Sequence, residues 1–133
     1  MIIAENGKPV AGTSPGGVNF GSSQASGYWT NAICRFGLEN NGFYCGVGDS
    51  STQINTEITY TNGNWYHLSM VLDTSTDLYY LSVNGTVLNP EGYQAASATP
   101  EWFSLGAGNN GQNTMYYDNV KVYTSDNSVL VSG

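Results

Sequence analysis

Three observations predict an all-β fold, an antiparallel two-sheet sandwich. Runs rich in Tyr, Val, Ile, Leu and Thr alternate apolar with polar residues at period two, the mark of half-buried strands. Five Asn-Gly dipeptides, at 6–7, 41–42, 62–63, 84–85 and 110–111, punctuate these runs. Asn-Gly tolerates the positive φ that tight hairpin turns demand. No window repeats apolar residues at i, i+3 and i+4 over three turns, so no helix is expected.

The elements follow in order. Residues 1–30 read as a loop-rich segment, with MIIA a candidate edge strand, GKPVAGTSPGG loop chemistry and GGVNFGSS one short strand. Residues 31–123 form the core of the sandwich, and 124–133 a tail or edge strand, the whole being one domain. NAICRFGLENNGFYCGVG (31–48) is the clearest hairpin. Cys34, Phe36 and Leu38 share one face of its first arm, and Phe43, Cys45 and Val47 one face of its second. Both faces point to the core, so Cys34 and Cys45 should be neighbours, as a disulfide or as two packed thiols. Strands are then expected within 53–60, 64–73, 78–88, 101–108, 115–123 and 128–131.

Composition narrows the function. Asn, Ser, Thr, Gln and Gly make up 62 of 133 residues, whereas charged residues are only 10%. The polar surface is therefore built from amides, hydroxyls and bare backbone. Three Lys and Arg against ten Asp and Glu give a net charge of −7, which cannot neutralise a row of phosphates and argues against nucleic acid. No apolar run approaches the ~20 residues of a membrane-spanning helix. The opening MIIAENGKPVAGT has neither a basic n-region nor an apolar h-region and does not read as a signal peptide.

Aromatic residues are the most suggestive chemistry. Ten Tyr and three Trp outnumber four Phe, and both combine an apolar face with a polar handle, suited to sugar stacking or to interfaces. Strand alternation turns Tyr44, Arg35, Glu57 and Tyr80 away from the hairpin core. On one sheet face they would form a glycan-binding patch. Trp29 and Trp102, near loop ends, are candidate platforms, while Trp65 reads as core. His67 is the only histidine, too few for a triad or a zinc site, and reads as structural.

Three stretches, NGNWYHLSMVLD (62–73), LYYLSVNGTVL (78–88) and FSLGAGNNGQNTMYYDNVKVY (103–123), resemble the concanavalin A-like lectin/glucanase superfamily, especially its laminin-G-like domains. They cover roughly half the chain in the family's order. The resemblance implies a jelly-roll sandwich. It also implies a test for catalysis, since the family's retaining glucanases carry Glu-x-Asp-x-x-Glu on one strand. This chain has no such run, and Glu57 has no acidic partner two or four residues away, so no enzyme is expected. No cofactor is required. Related sandwiches hold a structural calcium near the position of Asp118, with Glu5 and Asn6 as further candidate ligands; the alternative is that Asp118 bonds a neighbouring loop.

The function expected from these readings is a non-catalytic, lectin-like surface protein. One version is a virion (phage) decoration or structural protein, a homo-oligomer beside other virion proteins and able to bind glycans. The other is a secreted carbohydrate-binding module of a larger glycan-active protein. Both place the chain on a virion surface or outside the cell, without membrane insertion.

Overall fold

A computed structural model describes residues 1–21, 32–46, 54–97, 99–106, 112–124 and 129–132, without the side chains of 54, 55, 57 and 129–132. Among the described residues there are twelve strands and no helix. They are β1 (Ile2–Ala11), β2 (Gly16–Gly21), β3 (Ala32–Glu39), β4 (Gly42–Gly46), β5 (Ile54–Thr59), β6 (Tyr66–Asp73), β7 (Leu78–Val83), β8 (Thr86–Val87), β9 (Tyr93–Gln94), β10 (Trp102–Gly106), β11 (Thr114–Tyr123) and β12 (Val129–Ser132). One sheet runs β12-β11-β1-β6-β7-β8, with β9 also on β7; the other runs β10-β2-β3-β4-β5. Every pairing is antiparallel, and the two sheets pack face to face as the alternation predicted.

The core lies between the sheets and follows from parity. The seven-stranded sheet contributes Ile3, Leu68, Met70, Leu72, Tyr79, Leu81, Val83 and Val122. The five-stranded sheet contributes Val18, Phe20, Cys34, Phe36, Leu38, Phe43 and Cys45. Phe43 is an aromatic hub, with ring centroids 5.7 Å from Phe36, 5.7 Å from Tyr60 and 5.6 Å from Tyr66. Two of these contacts are edge-on, the arrangement ring quadrupoles favour.

The Asn-Gly dipeptides divide into turns and non-turns. Asn84-Gly85, at φ 51° and 83°, makes the tight turn between β7 and β8. In the β3–β4 hairpin the turn is Asn40-Asn41, at φ 50° and 67°, one residue earlier than the dipeptide suggests. Asn6-Gly7 is no turn at all and sits inside β1. The methyl end of Met115 packs directly over Gly7, in the space a Cβ would occupy. The dipeptide at 110–111 lies outside the described residues.

The largest difference from the sequence reading lies in residues 2–21, which are strand over Ile2–Ala11 and Gly16–Gly21 where loop was expected beyond MIIA. β1 is a central strand, hydrogen-bonded to β11 on one side and β6 on the other, and β2 is central between β10 and β3. Ile3 and Phe20 are both buried in the core of this chain. Pro9 misled the reading of GKPVAGT, yet β1 tolerates it because β6 ends opposite Gly7 and no ladder on that side needs its missing N–H. β12 takes the edge position beside β11.

Glu5 is the one inward residue of β1 that does not belong in a core. It shares its face with Ile3, opposite Leu68, and is 1% exposed. Neither carboxylate oxygen has a hydrogen-bond partner. Burial therefore pushes its pKa from the ordinary 4.5 up to about 8. The folded chain keeps a proton that the unfolded chain releases. Stability is then fully present below about pH 4.5, falls as pH rises towards 8, and is level above that.

Thermal melts of the parent protein should lose stability between pH 5 and pH 8, by about 1.4 kcal/mol per pH unit at most. Glu5→Leu should flatten that slope and raise the melting temperature at pH 8; an unchanged slope would show that Glu5 is not the titrating group. Because β1 zips two neighbours, deleting residues 1–12 should abolish the cooperative melt, as followed by circular dichroism. A truncated chain that melts cooperatively near the parent temperature would contradict the central placement of β1.

Candidate functional site

The parity that sends Ile3 and Glu5 inward sends Ala4, Asn6 and Lys8 outward, onto the open face of the seven-stranded sheet. Register then fixes their neighbours. Lys8 stands opposite Tyr116 on β11, and Asn6 stands between Asp118 on β11 and His67 on β6. Trp65 precedes β6 and comes level with Lys8. Two successive cross-strand rows result, Tyr116–Lys8–Trp65 and Asp118–Asn6–His67, about 7 Å apart along β1.

The first row is held by a double cation–π contact. Lys8 Nζ lies 5.3 Å from the ring centroid of Trp65 and 5.3 Å from that of Tyr116. Both rings stay open to solvent, Trp65 at 48% and Tyr116 at 54%. Val10, also exposed, follows on the same strand. The second row is polar and ordered. His67 Nδ1 is 3.0 Å from Asn6 Oδ1, and the His67 backbone N–H donates to Asn84 Oδ1 at 2.8 Å. The Asp118 carboxylate accepts the Asn119 N–H at 2.9 Å. Flat apolar rings, an ammonium donor and fixed amide and carboxylate groups thus share one exposed surface.

That site is not the patch expected from sequence. Arg35 and Tyr44 do share one face, as their parity requires, but it is the outward face of the five-stranded sheet, where β2, β3 and β4 are buried on both sides. Arg35 is 0% exposed and Tyr44 6%, with the Tyr44 ring lying over Gly37. Trp102 is on that same sheet, its ring over Gly21. Tyr80 alternates with the core residues Tyr79 and Leu81 and so lies on the opposite side of the sandwich. The structure therefore does not bring Tyr80 together with Arg35 and Tyr44. Glu57 is on edge strand β5, and its side chain, like Trp29 as a whole, lies outside the described residues.

Trp65 is the residue that sequence reasoning misplaced. It was expected in the core and is exposed. The signal was in the strand: with Leu68, Met70 and Leu72 inward, parity turns residues 65, 67, 69 and 71 outward. Lys8 and Tyr116 carried no such signal, because only the β1–β11 register makes them neighbours.

Cys34 and Cys45 are both buried, unbridged thiols on the inward face. Register places Phe36, not Cys34, opposite Cys45, so the two are diagonal neighbours rather than a directly facing pair. A diagonal separation of roughly 7–8 Å exceeds ordinary disulfide geometry. Burial raises both thiol pKa values, that of Cys45 to about 11, so neither is a thiolate at neutral pH.

The calcium ligands implied by the resemblance do not converge either. Glu5 faces the apolar interior, while Asp118 is exposed on the other face of the same sheet, engaged with Asn119. Asn6 Oδ1 is taken up with His67. Calcium needs six to eight oxygens around one point, and these three residues do not surround one. Among the described residues no three His, Cys, Asp or Glu side chains are grouped to hold a metal.

With the geometry in place, comparison of the chain with protein-family models, curated proteins and solved structures finds no match to any of the three.

Proposed function

We propose that this chain is a non-catalytic, glycan-binding sandwich carried on an exposed surface, either as a virion decoration protein or as a secreted module. The observation that carries the reading is the row Tyr116–Lys8–Trp65, two solvent-open rings held in place around one lysine. Exposed Trp and Tyr rings cost solvation and suit a partner with a flat apolar face and a hydroxyl rim, which a pyranose has. Lys8 and the Asp118–Asn6–His67 row then supply donors and acceptors for the hydroxyls. Rings fixed beforehand lose little entropy on binding. The low charge of the chain, 10% of residues, also fits a partner recognised through hydroxyls rather than through phosphates.

Native affinity gels containing hydroxyethylcellulose, galactomannan or glycol chitin test this. These neutral polymers have β-1,4-linked backbones that present flat sugar faces. At least one should retard the parent protein, and Trp65→Ala should migrate as in a gel without polysaccharide. Its melting temperature should barely move, because an exposed substitution shifts stability by about 0.5 kcal/mol or less. Equal retardation of parent and Trp65→Ala, or no retardation of the parent in any gel, would overturn the proposal.

A further inference from the structure

The open face continues past the two rows, and its far end is concave. Two more outward rows follow along β1: Lys121–Ala4–Ser69–Ser82, then Tyr123–Ile2–Val71–Tyr80. The Ser69 and Ser82 hydroxyls bond each other and give the middle of the face a polar floor. At the last row lies a concavity of about 320 Å³ lined by Ile2, Val71, Tyr80, Asp73 and Thr74, among others. Ile2 and Val71 give its lining apolar surface and Tyr80 an aromatic ring.

Asp73 gives that concavity an anion. Its Oδ1 accepts from the Ser75 backbone N–H at 2.9 Å and the Ser75 hydroxyl at 2.6 Å, in the turn between β6 and β7. These bonds fix the carboxylate and hold its pKa below the usual range, so it is an acceptor at any neutral pH. An aromatic ring, an apolar lining and an oriented carboxylate form a second subsite of the same chemical kind as the Trp65 row. It differs in offering an acceptor where Lys8 offers a donor. Ile2 and Lys8 are six residues apart on one strand, about 20 Å.

We infer that the open face of the seven-stranded sheet binds the interior of a linear, neutral polysaccharide laid along β1, with the Tyr80–Asp73 concavity as a second sugar subsite beyond the Trp65 row. The inference rests on the glycan reading above and adds the length and direction of the ligand. A disaccharide reaches one subsite. A chain long enough to span both gains the second contact without a second association cost.

Isothermal titration of the parent protein with β-1,4-linked gluco-, manno- and N-acetylglucosamine oligosaccharides, from disaccharide to hexasaccharide, tests this. Affinity should rise with length in at least one series, the hexasaccharide binding at least about tenfold tighter than the disaccharide, or ~1.4 kcal/mol. Tyr80→Ala should bring that ratio close to one. Asp73→Asn, which keeps the turn but removes the charge, should lower it in the same direction, so a fold defect in one variant does not decide the result. Short and long chains binding alike, or a ratio unchanged in both variants, would overturn the extended site while leaving the Trp65 row intact. No binding in any series would remove the glycan reading itself.

Discussion

Strand β1 is hydrogen-bonded along both edges, to β11 and to β6, and that constraint organises the rest of the molecule. A central strand cannot slip by one residue without turning its whole inner face out. Ile3 packing against Met70 and Val122 therefore determines that Ala4, Asn6 and Lys8 point to the outer face of the sheet. Core and candidate site are the two sides of one strand. The same constraint accounts for Glu5: parity leaves it nowhere but the interior, where it stays protonated rather than unfolding the strand.

The two sheets divide the work. The five-stranded sheet is buried on both faces through β2, β3 and β4, and it holds the sandwich together through Phe20, Phe36 and Phe43. Tyr117 ties the sheets to each other, its hydroxyl accepting the Gly17 N–H at 2.9 Å from across the core. The seven-stranded sheet has one open face, and that face holds both lysines and the histidine of the chain. Surface chemistry is thereby concentrated on one side of a molecule that otherwise has few charges to present.

Much of the fold was legible because period two is a strong signal where apolar residues alternate cleanly. YHLSMVLD and LYYLSV were readable as strands, and CRFGL paired with FYCG as a hairpin. The turn between them was off by one because Asn41 also accepts positive φ, so Asn40-Asn41 competes with Asn41-Gly42. Beyond MIIA, β1 was illegible because Asn, Gly and Pro are turn residues by local rule. Only tertiary contacts, the Asn6–His67 bond and the Met115 packing over Gly7, make them a strand. The site was hidden for the same reason. Arg35 and Tyr44 were assigned to the correct face of their strands, but parity does not say whether a face is open or covered.

Native-state amide hydrogen exchange measured by NMR tests the dependence on β1 most directly. If β1 is the central strand of the seven-stranded sheet, the amides of residues 3–7 fall in the slowest class and exchange only through global unfolding. Their opening free energies then equal that of the core residues Met70 and Leu81. Exchange of residues 3–7 at the rate of a fraying end, while 70 and 81 stay protected, would contradict the account.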